Sequence, residues 1–402
     1  MNFLRVLYSG IIVSVCSNLL SLPVVGIQTT ARSASHTPTP SPSWIAQTPP
    51  SNSPSLGQQL IQEISQCMAG AFSGTEPGTP QEFQAASMRC TIQTIILDPQ
   101  GNIRADASDR MGAMLAFTGA AVPQTISQGE ATIQLQQLPD SQVFTVPVTI
   151  AGNSQRFLLD TGASNSILSQ QTIQQLGLLG MPIPSDLLAY FVVGDDCSQV
   201  QASIHRLPPV SVEAANVEGM SGMGLSQLPA NAQGVLGMDF LKGFDLVLDP
   251  KALSLKLLPP SPTVNGAIPL QGKLGVMIVE VYVNGQGPFP FLVDTGADLM
   301  VISQRLADRL AIDRAQTEDF QVQGFCGEEL GKKSRLNSVR LQNQEQNNLD
   351  TVILENQLLD LIGVEGIVGQ NYLTQYQQYW RFGAANNLGF PETGSLLLSP
   401  LN

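Results

Sequence analysis

The sequence predicts a mainly β chain built as two similar lobes related by a pseudo-two-fold, with a small helical segment ahead of them. Three observations carry this. First, a segment running from Phe157 to Gln170, FLLDTGASNSILSQ, returns from Phe291 to Gln304 as FLVDTGADLMVISQ, at an offset of 134 residues. Second, GVLGMDFL (234–241) returns as GIVGQNYL (366–373). Its Gly237 lies 77 residues after Asp160, and Gly369 lies 75 after Asp294. Two elements recurring in one order at nearly one distance mean duplication of a whole unit. Third, from Ala131 the chain becomes short apolar runs broken by Gly, Pro and Asn, the texture of strands rather than helices.

Composition bounds the chemistry. Of 402 residues 43% are apolar, enough for a full core in two or three domains. Against 19 Lys and Arg stand 32 Asp and Glu, a formal charge of −13, which argues against nucleic acid as a partner. The only histidines are His36 and His205, so a histidine-rich metal centre and an HExxH helix are excluded. No GxSxG elbow accompanies His205, and no metal or other cofactor is expected.

In chain order, residues 1–27 hold one charge, Arg5, ahead of an apolar run from Val6 to about Ile27. They read as a signal peptide or, since the run nearly spans a bilayer, a membrane anchor. Either sends the rest out of the cytoplasm, to the periplasm, cell envelope or medium. Cys16 follows Val15 and makes a poor lipidation site. Residues 28–55 are a Pro/Ser-rich linker holding His36 and Trp44, too polar to fold. Residues 56–122 have apolar residues at three- and four-residue spacings, a helical pattern, with Cys67 and Cys90 on its two stretches. In an oxidising compartment a bridge between them would pin a helical hairpin.

The lobes are assigned to 130–260 and 261–402, parted by the Pro-rich stretch at 258–265. ATIQLQQL, QVFTVPVTI, RFLLD and FDLVLDP read as strands of the first.

One Asp-Thr-Gly triplet is weak evidence, because a turn with Asp bonding its own backbone explains it. Two, each after an apolar strand and before aliphatic residues and Ser, go beyond that. A strand ending in Leu-Leu or Leu-Val delivers the Asp to a loop mouth. Glycine lets backbone N–H groups approach the carboxylate, and Thr can bond across to the matching loop. Two carboxylates held face to face cannot both ionise, so they share a proton and titrate as a pair. One then activates a water and the other donates to the carbonyl under attack, hydrolysing an amide without a covalent intermediate.

Asp160-Thr161-Gly162-Ala163 and Asp294-Thr295-Gly296-Ala297 resemble the catalytic loops of retropepsin-like aspartic proteases. Val235-Leu236-Gly237 and Ile367-Val368-Gly369 resemble that family's second signature. The resemblance spans about residues 130–400. It implies two closed β-barrel lobes, a peptide cleft between them, and catalysis by Asp160 and Asp294 with Thr161 and Thr295 bracing the loops. Both halves lie on one chain, so the catalytic unit is expected to be monomeric. The lobes are shorter than pepsin-like ones, and Ala rather than Ser follows each triplet.

The family's flaps, Gly-rich hairpins over the cleft, correspond here to Phe191–Cys197 and Phe320–Cys326, each with a Phe-to-Cys spacing of six. The cysteines thus hold equivalent places. Four exported cysteines allow three pairings. The expected one is Cys67–Cys90 with Cys197–Cys326, the latter joining the flaps and restricting substrates to thin extended strands. Asp195, Asp196, Glu328 and Glu329 are expected to be a solvated face. Asp239/Asn371 and Phe240/Tyr372 are expected to cap and pack the helix after each second signature.

The expected function is therefore an aspartic endopeptidase acting on a peptide or protein substrate at mildly acidic pH. The alternative is a catalytically inert peptide-binding or envelope scaffold. Self-processing of the linker, attachment to a membrane through the N-terminus and the role of 56–122 stay open.

Overall fold

The computed structural model describes residues 5–6, 55–72, 79–100, 104, 106–118, 124–188, 192–194, 196–229, 232–262, 264–355, 357–386 and 389–401. Arg5–Val6 pairs in parallel with Val322–Gln323. Apart from those two positions, the signal or anchor (1–27) and the linker before Ser55 lie outside the described residues. Among the described residues no helix is long and apolar enough to cross a membrane.

Three helices form the N-terminal segment: α1 (Leu56–Ala71), α2 (Pro80–Ile95) and α3 (Ala107–Thr118). The first two start with reciprocal caps. Ser55 Oγ accepts the Gln58 N–H while Gln58 answers the Ser55 N–H, and Thr79 and Glu82 do the same. Such a box is worth about 1 kcal/mol. Cys67–Cys90 staples α1 to α2. α3 is an addition to the sequence reading; its inner stripe is Ala107, Met111 and Met114, weak apolar markers around Gly112. Arg110 holds α3 in place by donating to the Thr94 carbonyl at 3.0 Å and pairing with Asp106 and Glu63. α2 packs on the strand Gly180–Ile183 of the first lobe.

Each lobe contains a hairpin with a two-residue turn. Ala151-Gly152 joins Phe144–Ile150 to Asn153–Leu159, and Asn284-Gly285 joins Val276–Val283 to Gln286–Val293. All four turn residues have positive φ, the conformation that matches strand twist in two-residue hairpins. The second hairpin strand then pairs in parallel with Gly234–Leu236 in one lobe and Gly366–Val368 in the other. Those short strands also run antiparallel to Ile167–Ser169 and Met300–Ser303. The two lobes thus repeat one strand order, as barrel-like curled sheets.

Between the lobes lies a six-stranded seam. Its order is Ala131–Gln134, Ser254–Leu258, Asp245–Asp249, Tyr376–Phe382, Thr393–Pro400 and Ile268–Lys273, three strands from each lobe. The middle pair crosses the pseudo-two-fold with Leu246 opposite Trp380 and Leu248 opposite Gln378. Trp380 is fully buried and donates its indole N–H to Gln378 Oε1 at 3.0 Å. Asp245, buried in the seam, accepts from the Ser261 N–H, Tyr379 Oη and Arg381 Nε, so the inter-lobe connection is fastened to both lobes.

Candidate active site

The strand Asn153–Leu159 ends at Asp160, and Gln286–Val293 ends at Asp294. Each Asp is held by the second-signature strand. The Asp160 N–H donates to the Leu236 carbonyl at 3.1 Å and the Asp294 N–H to that of Val368 at 3.0 Å. Val235, Leu236, Ile367 and Val368 are buried and form the wall behind the loops. The loop backbone then turns back on each carboxylate. Gly162 and Ala163 N–H groups reach Asp160 Oδ1 at 2.7 and 2.9 Å, and Gly296 N–H reaches Asp294 Oδ1 at 2.7 Å.

The threonines join the loops. Thr161 N–H donates to Thr295 Oγ1 at 3.0 Å, and Thr295 N–H to Thr161 Oγ1 at 3.1 Å. Each hydroxyl donates in turn to a strand of the opposite lobe, Thr161 to Val293 and Thr295 to Leu159, both at 2.9 Å.

This lattice brings the two carboxyl groups together. A β-carbon added to Gly162 would lie 2.4 Å from Asp294 Cγ, and one on Gly296 would lie 2.6 Å from Asp160 Cγ. Glycine is required because the opposing carboxyl occupies the space a side chain would fill. Both aspartates have zero solvent exposure. Burial first, then the Asp294 charge and a hydrogen bond from it, raise the Asp160 pKa well above the carboxylate range; bonds from Gly162 and Ala163 only partly oppose this.

Gly237 and Gly369 each precede a four-residue helix whose first N–H donates back to Ala163 or Ala297, at 2.8 and 2.7 Å. Here one expectation is corrected. The N-cap positions are Gly237 and Gly369, with no side-chain bond, and of Asp239 and Asn371 only Asp239 accepts a first-turn N–H, that of Phe240 at 2.9 Å. Both point at the strand after each catalytic loop. Asp239 Oδ1 accepts from Ser166 N–H and Oγ at 2.9 and 2.7 Å, while Asn371 Oδ1 accepts the Met300 N–H at 2.8 Å. Phe240 and Tyr372 are buried beside them, as expected. Burial, outweighing the Ser166 bonds and the Lys242 charge, lifts the Asp239 pKa to about 6.

Sequence reading missed three supports. Gln370 Nε2 donates to the Thr295 carbonyl at 2.9 Å, where the first lobe has Met238. Ser166 bonds both Asp239 and the Gly237 N–H. Asp298, four residues past Asp294, accepts from Ser141 Oγ and the Gln142 N–H of the other lobe and lines a 430 Å³ cavity at the lobe junction. Ser166, Asp298 and Gln370 lie inside the repeated motifs where the other copy has Met300, Ser164 and Met238, so the repeat itself gave no signal for them.

Both flaps are built on antiparallel strand pairs, as expected, but they differ in length. In the second lobe Glu318–Gly324 and Gly327–Leu341 do form a long hairpin with Phe325-Cys326 at its tip. In the first lobe Gly180–Ile183 and Ala202–Arg206 also pair antiparallel, and the stretch equivalent to the second-lobe tip lies in the long connection between them. Phe191 and Asp195 lie outside the described residues. The tips touch. Cys326 N–H donates to the Val193 carbonyl at 3.0 Å and Asp196 N–H to the Cys326 carbonyl at 3.1 Å. A disulfide joins Cys197 to Cys326, with Cα atoms 4.6 Å apart. The solvated acidic face is corrected in part: Asp196 and Glu328 are exposed, but Glu329 is buried at 6% exposure. Alternation along the hairpin turns Glu329 inward and its neighbour Leu330 outward.

His205 is a buried residue of a first-lobe strand, its Nε2 2.7 Å from Ser203 Oγ. Among the described residues no cluster of three His, Cys, Asp or Glu could hold a metal ion.

No curated protein sequence matches the chain. Among solved structures, a retropepsin-like aspartic protease from Rickettsia conorii aligns with 34% of this chain and 94% of its own, at 18% identity and a TM-score of 0.24. Basic 7S globulin from soybean aligns with 68% and 96%, at 11% identity and a TM-score of 0.36. A family model described as "gag-polyprotein putative aspartyl protease" matches twice, at residues 146–243 and 279–375. Each match contains one Asp-Thr-Gly-Ala loop and the aliphatic strand threaded beside it, and on that double match the chain belongs to the retropepsin-like aspartic proteases, in tandem single-chain form.

Proposed function

We propose that the protein is an aspartic endopeptidase in which Asp160 and Asp294 form one catalytic pair. The observation that carries this is the mutual contact of two fully buried carboxyls, each held by its own loop and by threonines from both lobes. The elevated Asp160 pKa supports a shared proton across acidic pH. In that state the ionised carboxylate takes a proton from water as it attacks the scissile carbonyl. The protonated partner donates to the carbonyl oxygen, and the proton then passes to the leaving amine. Above the raised pKa both carboxyls ionise and the acid is lost, so activity falls as pH rises.

The test is peptide cleavage by the full chain from pH 3 to 7, in oxidising and reducing buffer, beside Asp294→Asn. Cleavage abolished in the variant supports the reading, and equal rates in both overturn it. The zero exposure of both aspartates favours a second reading, an inert scaffold with a closed cleft. It predicts no cleavage in any buffer. The two disulfides fit an oxidising, extracytoplasmic setting.

A further inference from the structure

Resting on the protease reading, we propose that Cys197–Cys326 is a reducible latch which keeps the cleft shut until a dithiol reductant opens it. The bridge is placed where it has that effect. It joins two tips belonging to different lobes, 129 residues apart in the chain, rather than two strands of one barrel. Directly around it the tips are zipped by the Cys326–Val193 and Asp196–Cys326 backbone bonds. The approach is so close that a β-carbon on Gly194 would lie 2.5 Å from the Cys326 carbonyl carbon, and one on Gly324 only 2.1 Å from the Val193 oxygen. The tips form a roof in one apolar cluster with Ala163 of the first catalytic loop, and Asp160 and Asp294 have no exposed surface. A peptide must reach them to be cut, so the roof must part, and two backbone bonds open far more readily than a covalent bond.

The two flaps are not equally free to move. The first-lobe loop springs from Gly180–Ile183, on which α2 packs, and α2 is itself stapled to α1. The second-lobe flap is a two-stranded arm, Glu318–Gly324 against Gly327–Lys333, whose outer end is fastened by Cys326 and whose base joins the sheet through Gln344–Leu354. Release of Cys326 therefore frees the arm to lift while the helical segment holds its counterpart.

The chemistry is thiol–disulfide exchange. A thiolate of the dithiol attacks the sulfur of Cys197, the more exposed residue at 5% against 1% for Cys326, and the Cys326 thiolate leaves. The second thiol of the reductant closes on the mixed disulfide and releases Cys197. Two electrons pass to the protein, which gains two thiols, and the reductant leaves as a cyclic disulfide.

The experiment uses the full chain, oxidised and reduced with dithiothreitol, with Cys197→Ser/Cys326→Ser and Cys67→Ser/Cys90→Ser double variants. In oxidising buffer the flap variant should cleave peptide at least 10-fold faster than wild type and ignore reductant, whereas the helix variant should still need it. Oxidised wild type cleaving as fast as the flap variant would overturn the latch. Amide exchange at Cys326 and Asp196 gives a readout independent of catalysis. On reduction it should rise at least 10-fold while Leu236 stays protected; unchanged exchange at the tips, or exchange rising equally in the core, overturns the latch. If no form cleaves peptide, the protease reading fails, and amide exchange alone still decides the latch.

Discussion

Thr161 and Thr295 each accept the other's backbone N–H, at 3.0 and 3.1 Å, and each passes its own hydroxyl proton to the opposite lobe. Replacing either by Val leaves one buried N–H and one buried carbonyl without partners, at about 1–3 kcal/mol apiece. Thr295→Val should therefore lose at least about 2 kcal/mol of stability in urea unfolding, while Thr295→Ser should stay close to wild type. Equal losses in both would mean that packing of the methyl, rather than the crossed bonds, holds the loops.

Gly162→Ala sets a methyl 2.4 Å from Asp294 Cγ, so a carboxyl must move. A displacement near 1 Å costs on the order of 100-fold in rate. The expected result is a folded protein with kcat/KM down by that order. Gly70→Ala on α1 meets nothing within 4 Å and serves as the control, slightly more stable and equally active. Wild-type activity in Gly162→Ala would mean that the carboxyls do not act at this spacing.

Asp239 gives a pH signature. Its pKa rises from 3.8 to about 6 on folding, so the proton is bound more tightly in the native state. The stability this contributes is complete below about pH 3.8 and is lost as pH climbs through 6, a swing of about 3 kcal/mol. Asp239→Asn, the residue the second lobe uses at 371, removes the swing. Thermal melts should show the variant above wild type at pH 7.5, with the gap about halved at pH 5 and closed near pH 3.8. Parallel melting curves across that range would show that Asp239 does not titrate there.

The repeat, the paired catalytic loops and their crossing threonines were legible because each rests on local chemistry: a strand, a tight turn, a glycine. What the sequence left hidden depends on distant partners. Asp239 looks like a helix cap, since it sits at the start of a four-residue helix, yet its oxygen is claimed by Ser166, 73 positions away. Glu329 looks solvated by composition, but strand alternation turns it inward. The two flaps differ because Gly180–Ile183 and Ala202–Arg206 pair over only four positions and leave a long connection, whereas Glu318–Gly324 and Gly327–Leu341 pair up to the tip.

The seam between lobes rests on Trp380. Its removal in Trp380→Ala empties a fully buried site opposite Leu246 and strips Gln378 Oε1 of its donor. A loss of about 3–5 kcal/mol is expected in chemical denaturation. A loss under about 1 kcal/mol would show that the site collapses and that the seam is held elsewhere.

That seam is stitched within a single polypeptide, through the short connection from Leu258 to Ile268. Its closure is governed by a local effective concentration in the millimolar range rather than by how many copies a compartment holds. Halves that would otherwise part on dilution stay engaged however sparse the protein becomes. Because each half is encoded separately, one can drift without the other, as Met238 at the position equivalent to Gln370 already records.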